Sequence, residues 1–396
     1  MFFSFKRGER ILAAYINRIA TAVPPHDIHR AFLDFARFKL AADSRKAAVF
    51  DRMAERSGIT HRYACLPPDA IALTAQQTGD PSKFYSVGNF PDTATRMQAF
   101  EQHAPLLASA AVERLALGAK RDRITHLLIT SCTGQYAPGI DFDLMERCQL
   151  PNNVERTTIG FMGCYAAVNA LKLARHIVRS QPNAHVLIVN IELCSLHLQE
   201  TSDLQELLSY LLFSDGCAAC LVTAEPVGIV LDSFHAAMVP GTRDLITWHV
   251  RNSGFDMALS GQVPAAIEAG LHGCADEILR SAAPASIDLW AVHPGGRTVL
   301  DAVEKAFDLP SDALTASRDV LNRYGNMSSV SIMFVLEMML HTAVSGARGC
   351  AMSFGPGLVA ETMLFRAVFV GPSLQPIDSH QFDDSLVDVV SSASPT

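Results

Sequence analysis

The sequence predicts an α/β fold. Short runs rich in apolar and β-branched residues alternate with longer segments whose apolar residues recur at helical spacing. Apolar residues make up 49% of the 396 and charged residues only 18%. Such a composition can bury a large core and argues against a disordered chain.

The elements follow in order. AFEQHAPLLASAAVERLALGA (99–119) has helical spacing and reaches a glycine at its end. THLLITSCT (125–133) reads as a buried strand with its exit loop. CYAAVNALKLARHIVRS (164–180) opens on small residues and closes on basic ones, as a helix does. HVLIVNIEL (185–193), CAACLVTAE (217–225) and GIVLDSFHAAMV (228–239) read as strands. LWAVHPGG (289–296) is a strand ending at Pro-Gly-Gly, and RTVLDAVEKAF (297–307) is a helix. SSVSIMFVLEMMLHTAV (328–344) is the last long helix; CAMSFGPGLVAETMLFRAVFV (350–370) is two strands around a Gly-Pro-Gly turn.

At roughly 150 residues per domain, the length allows two or three domains or one double-lobed unit. No solenoid period is visible, but each half runs strands, helix, strands. A boundary near Glu225–Gly228 gives an N-terminal half (1–226), a C-terminal half (227–372) and a Ser/Asp-rich, weakly ordered tail (373–396).

Thirty-two basic against 40 acidic residues leave a net charge of −8. Broad nucleic-acid binding, which needs basic surface, is excluded. In MFFSFKRGERILAAYI charges interrupt the apolar run, so no signal peptide is expected. No stretch reaches 18 apolar residues, so no transmembrane helix is expected either. Nine cysteines in such a chain point to free thiols in a reducing cytoplasm.

Among those thiols Cys164 stands apart. It follows Gly163 where the strand-like RTTIGFMG meets a helix. The free N–H groups of a helix N-terminus favour a thiolate, hence a nucleophile. Alone, the residue would equally serve as core filler. His293 ends the strand LWAVH, and strand C-termini face the ligand crevice of α/β proteins. Asn326, in YGNMSS, offers an amide donor; by itself it is a turn residue, with Ser328 and Ser329 as alternative caps. Together the three, each beside a glycine, fit a thiol enzyme with two donors around an acyl oxygen. The order Cys, His, Asn also fits a papain-like protease. MGCYAA is not that family's pattern, and 163 residues of α/β sequence precede the cysteine.

These residues carry a resemblance. The segments ITHLLITSCTG, GFMGCYAAVNALKLAR, LLFSDGCAACLV, WAVHPGGRTVLDAVEKAF, YGNMSSVSIMFVLE and SFGPGLVAETMLF are similar to those of type III polyketide synthases, the chalcone synthase-like family. The resemblance spans nearly the whole chain. It implies a thiolase-type fold of two similar halves in α-β-α-β-α layers, and a homodimer. It implies Cys164 as acyl-accepting nucleophile, His293 and Asn326 as the catalytic pair, and Phe213 as an aromatic gate. It implies acyl-CoA and malonyl-CoA as substrates, with no metal or redox cofactor. Arg52 and Arg56, at i,i+4, match two basic positions at the CoA tunnel mouth, while Val49 stands at a third. Ketoacyl-ACP synthase III, with the same trio, and a Cys-His-Asn hydrolase are the alternatives.

The cavity positions depart from a plant chalcone synthase. Cys132, Cys194 and His197 replace usual threonines, and Ala137 replaces a methionine that reaches into the partner's cavity. Trp248 replaces a glycine and Met257 a phenylalanine, whereas Ser328 keeps the family residue. Small residues at Cys132, Cys194 and Ala137 open room for an acyl chain, and Trp248 narrows another side. An aliphatic, even long-chain, starter and a pyrone or alkylresorcinol product are expected. Cys217 and Cys220 form a CxxC, but in a strand they point to opposite faces and read as packing, not as a zinc site.

Overall fold

The computed structural model describes residues 12–70 and 83–369, so the tail expected over 373–396 lies outside the described residues. The strands are β1 (Tyr15–Ala22), β2 (His26–Asp27), β3 (Tyr63–Ala64), β4 (His126–Ser131), β5 (Glu155–Gly160), β6 (Val186–Leu193) and β7 (Asp215–Thr223). They continue with β8 (Gly228–Met238), β9 (Ile246–Arg251), β10 (Gly254–Leu259), β11 (Leu289–Val292), β12 (Arg348–Gly355) and β13 (Val359–Val368). The helices are α1 (His29–Leu40), α2 (Ser44–Arg56), α3 (Thr93–Arg114), α4 (Ile140–Arg147) and α5 (Ala166–Ser180). After them come α6 (Leu204–Tyr210), α7 (Val263–Leu279), α8 (Arg297–Ala306), α9 (Thr315–Tyr324) and α10 (Ser331–Thr342).

Nine strands join in the order β11-β12-β13-β8-β1-β7-β6-β4-β5. One pairing run occurs twice. β4 is parallel to β6, and β6, β7 and β1 then pair antiparallel. β11 is parallel to β12, and β12, β13 and β8 then pair antiparallel. The runs meet only at Tyr15–Val230 and Ile16–Ile229.

Strand side chains alternate between faces, and here both faces are covered. Leu187, Val189 and Ile191 of β6 pack outward with Phe32 and Phe35 of α1 and Phe100 of α3. Val186 and Ile188 pack inward with Ala167, Ala170 and Leu171 of α5 and with Ile332 and Val335 of α10. Cys350 and Met352 of β12 face Ile267 of α7 and Leu300 of α8. The layers therefore run helix, sheet, helix, sheet, helix. Cys217 and Cys220 fall in different cores, as strand geometry requires.

Some boundaries differ from the expected ones. The helix expected over 99–119 starts at Thr93, because the Asp92 side chain accepts the Thr95 N–H, and it runs through Pro105. The helices expected from 164 and 328 each begin with a tight 3₁₀ turn, Gly163–Tyr165 and Ser328–Val330. β1, in mid-sheet, has a weak sequence signal because Asn17 and Arg18 interrupt its apolar pattern. The Asn17 amide is spent on the carbonyls of Glu225 and Val227, and the register shifts there.

Leu171 is fully buried between the two sheet halves. Leu171→Ala is expected to lose about 2–5 kcal/mol in urea unfolding. A loss below about 1 kcal/mol would contradict the close packing of this central layer.

Candidate active site

Cys164 sits in the 3₁₀ turn that leads from β5 into α5. The chain turns sharply there, with φ of +56° at Phe161 and +72° at Gly163. A Cβ on Gly163 would lie 2.2 Å from Pro356 Cδ, so only glycine lets the turn between β12 and β13 close over the thiol. The Gly163 N–H donates to the Cys132 sulfur at 3.0 Å. Opposite, the Ser328 hydroxyl donates to the Cys164 sulfur at 3.6 Å.

From Ser328 a chain of contacts leads to the other two predicted residues. The Ser328 N–H donates to Asn326 Oδ1 (2.9 Å), and Asn326 Nδ2 donates to the Gly295 carbonyl (3.2 Å). Gly295 lies against the His293 ring. The Asn326 N–H donates to the Leu212 carbonyl, and the Ser214 N–H donates to the Asn326 carbonyl. Phe213 and Asn326 are thereby bridged as parallel strand partners. The structure thus gathers Cys164, Asn326, His293 and Phe213 from segments far apart in sequence.

His293 is 1% exposed, and neither ring nitrogen has a hydrogen-bond partner. Buried polar atoms are rarely left so, because desolvation is not repaid. Gly295, whose carbonyl Asn326 bonds, lies against this ring, placing it beside the Asn326 side chain. Burial holds it down to about 3 and pushes the Cys164 thiol up to about 12, an effect the Ser328 hydrogen bond opposes and Glu192 reinforces. Both shifts disfavour the charged forms, so burial works against the thiolate that the helix terminus alone favours.

Glu192 is the residue that sequence reasoning passed over. Its carboxylate is fully buried and accepts from the Cys132 N–H (2.9 Å), the Thr133 hydroxyl (2.9 Å) and the Ser329 hydroxyl (2.8 Å). Burial raises it to about 7. The signal was present, since an acid inside HVLIVNIEL, a run otherwise apolar but for Asn190, needs partners.

Cys132, Cys194, His197, Phe213, Trp248, Met257 and Ser328 line one cavity with Cys164. Trp248 and Met257 are direct cross-strand partners on the β9–β10 hairpin. The indole N–H donates to the Cys132 carbonyl (2.8 Å). His197 bonds the Thr133 carbonyl through Nε2 and accepts the Phe255 N–H at Nδ1, while its ring stacks on Phe255 at 4.2 Å. Burial lowers it to about 3, so it is a neutral network member. The cavity is only about 50 Å³, room for about four waters. The Trp248 indole, held on the Cys132 carbonyl, forms one wall of this cavity beside the small Cys132 and Cys194. Ala137 is exposed and does not line this chain's own cavity.

Arg52 and Arg56 are exposed on α2, with no carboxylate paired to either among the described residues. The Arg297 guanidinium, at the start of α8, donates to the Arg56 carbonyl (3.4 Å), so this edge lies beside the segment that follows His293. No group of His, Cys, Asp or Glu among the described residues could hold a metal ion.

Residues 10–226 match the family described as chalcone and stilbene synthases, N-terminal domain, and residues 231–369 match its C-terminal domain. The chain belongs to the chalcone and stilbene synthase family. It is a type III polyketide synthase, an acyl-transferring enzyme. The alpha-pyrone synthesis polyketide synthase-like Pks18 of Mycobacterium tuberculosis is 33% identical over 367 residues, 89% of this synthase and 91% of that protein. The crystal structure of PKS-I from the brown alga Ectocarpus siliculosus superposes with a TM-score of 0.83 at 30% identity, covering 91% of this synthase and all of that chain. The C-terminal type III domain of Steely1, a type I/III hybrid from Dictyostelium, gives 0.81 at 23% identity, covering 90% and 99%, and agrees in fold. The expected thiolase-type layering is thus shown.

A raised thiol makes a pH prediction. Alkylation of Cys164 by iodoacetamide is expected to rise about tenfold per pH unit from pH 7 to 9 without a plateau. A plateau already reached below pH 7 would mean a resting thiolate–imidazolium pair instead.

Proposed function

We propose that this synthase condenses malonyl-CoA, with loss of CO₂, onto an aliphatic acyl-CoA starter held on Cys164, and releases an alkylpyrone or alkylresorcinol. The observation that carries the reading is a thiol opening into an apolar cavity, beside a donor amide and an unbonded imidazole.

Neutral His293 takes the Cys164 proton as the sulfur attacks the starter thioester. The acyl–sulfur bond to CoA breaks, and the departing CoA thiolate takes that proton. Malonyl-CoA then loses its carboxylate as CO₂, and the electron pair moves into the thioester as an enolate. Asn326 Nδ2 has a second N–H beyond the one given to Gly295, and His293 Nε2 can donate beside it. These donors stabilise the enolate oxygen. The enolate carbon attacks the acyl-cysteine, forming a C–C bond and freeing the thiolate. Phe213 provides an apolar wall that disfavours the malonyl carboxylate and favours neutral CO₂. None of these steps transfers a hydride or an electron, so no redox cofactor is called for.

The starter assignment draws on the apolar walls and on the relative whose name assigns it alpha-pyrone synthesis. An acyl chain enters by displacing the Trp248–Met257 hairpin. Arg52 and Arg56 are the cations for CoA phosphates, without help at Val49. A homodimer is supported by β5, an exposed edge strand paired only to β4 and leading directly into the Cys164 turn, with Ala137 exposed near it. Nine unpaired cysteines suit a reducing cytoplasm, and no described helix is long and apolar enough to cross a membrane.

Mass spectrometry of products from a panel of acyl-CoAs with malonyl-CoA tests this. Products extended by two-carbon steps are expected, absent with Cys164→Ala. Extension of short or aromatic starters alone would reject the aliphatic assignment. Free acids with malonyl-CoA untouched would establish the hydrolase, and extension only from carrier-protein-bound malonyl the ketoacyl-ACP synthase III reading. Trp248→Ala is expected to move the preferred starter to longer chains; an unchanged profile would remove Trp248 as the limiting wall.

A further inference from the structure

The largest fully buried side chains are two arginines, Arg62 and Arg96. Among the described residues neither guanidinium is paired with a carboxylate. A buried, unpaired charge is costly, so what it holds matters.

Arg62 immediately precedes β3. Its Nη1 donates to the carbonyls of Tyr210 (2.8 Å) and Phe213 (3.0 Å). Its Nε faces His29 Nδ1 at 3.2 Å, and the guanidinium lies 4.5 Å over the Phe32 ring. Burial lowers His29 to about 4, so that nitrogen is free to accept. Nη2 has no partner. In a parallel bridge, the residue whose neighbours make the bonds turns its own N–H and C=O the other way. Leu212 and Ser214 bond Asn326, so the Phe213 carbonyl faces away from Asn326 and into Arg62. The Phe213 backbone is gripped from both sides.

The arginine stem reaches the Asn326 side as well. A Cβ on Gly325 would lie 3.0 Å from Arg62 Cγ and 2.9 Å from the Leu212 carbonyl, and Gly325 has φ of +69°. The Tyr63 N–H donates to the Ser214 hydroxyl, which donates back to the Tyr63 carbonyl. Segment 62–63 is thus stitched to 213–214, and Arg62 fills the space beneath Gly325-Asn326. Cys164 receives no contact from it.

We propose that Arg62 is a positioning residue for decarboxylation: it holds the Phe213 wall and the Asn326 amide in register with each other, without acting on the loading of Cys164. The assignment rests on the reaction proposed above. Arg96 provides the contrast. It donates to the carbonyls of Leu196 (2.6 Å) and Leu198 (2.8 Å), either side of His197 in the cavity wall. Its loss disturbs a different part of the site.

Arg62→Lys keeps the charge but lacks the rigid fork that spans two carbonyls. Three readouts are compared with wild type: acyl loading of Cys164 by intact mass, CO₂ release from malonyl-CoA, and amide exchange in peptides covering 212–214 and 325–327. Loading is expected at the wild-type rate. The kcat for CO₂ release is expected to fall about tenfold or more at nearly constant KM, with faster exchange in both peptides. Arg96→Lys, which disturbs the wall beside His197, is expected to change starter choice without faster exchange in either of these peptides. Should Arg62→Lys not fold, Arg62→Gln carries the same readouts. Loading and CO₂ release falling together in Arg62→Lys, or the same faster exchange at 212–214 and 325–327 in Arg96→Lys, would overturn the assignment. So would variants indistinguishable from a working wild type. Wild-type protein that releases no CO₂ from malonyl-CoA would instead overturn the proposed reaction, and the Arg62 role with it.

Discussion

Two central helices hold this enzyme together. α5 and α10 lie between the two halves of the sheet, and the faces they bury there must be small or apolar. Ala166, Ala167, Ala170 and Ala174 let α5 approach its neighbours closely, while Ile332, Met333 and Val335 fill the space around α10. The tight first turns of both helices come together in the middle of the molecule. One carries Cys164, the other Ser328 with Asn326 two residues before it. Glu192 binds the arrangement by taking hydrogen bonds from Cys132 and Thr133 on one side and Ser329 on the other. Shifting either helix would separate the nucleophile from its amide donor.

The same burial sets the electrostatics. It raises the thiol, lowers the imidazole and raises Glu192, always disfavouring charge. A site that resists charge at rest gains most from donors aimed at a charge that forms during reaction. In the proposed reaction, one N–H of the unbonded His293 ring and the spare N–H of Asn326 serve as such donors. Rigidity comes from backbone carbonyls held by buried arginines, and capacity from a hairpin whose Trp248 is pinned to Cys132 by one hydrogen bond.

Much of this was legible in the sequence because backbone geometry leaves residue signatures. Cys164, His293 and Asn326 sit beside glycines, and Gly163 and Gly325 both take positive φ. β4, β6, β7, β8 and β11 to β13 announced themselves by apolar runs, whereas β1, β9 and β10 did not, and the faces of Cys217 and Cys220 followed from alternation. What stayed hidden depends on contacts distant in sequence. Trp248 reaches the Cys132 carbonyl, Asn17 reaches the carbonyl of Glu225, and Arg62 reaches that of Phe213. No local pattern marks such pairs. Burial opposes the expected thiolate, and a helix terminus is visible in sequence whereas desolvation is not. How Trp248 narrows the cavity beside Cys132 and Cys194 depends on its hold on the Cys132 carbonyl, which no local pattern marks.

The central claim is that a place at two helix ends, open to the cavity, singles out Cys164 from eight other thiols. Peptide-mapped mass spectrometry of the synthase, after mixing with an aliphatic acyl-CoA and no malonyl-CoA, tests it most directly. The account predicts an acyl adduct on the peptide containing Cys164 and on no other cysteine. An adduct on Cys132 or Cys194 with Cys164 unmodified, or hydrolysis with no adduct formed, would contradict it.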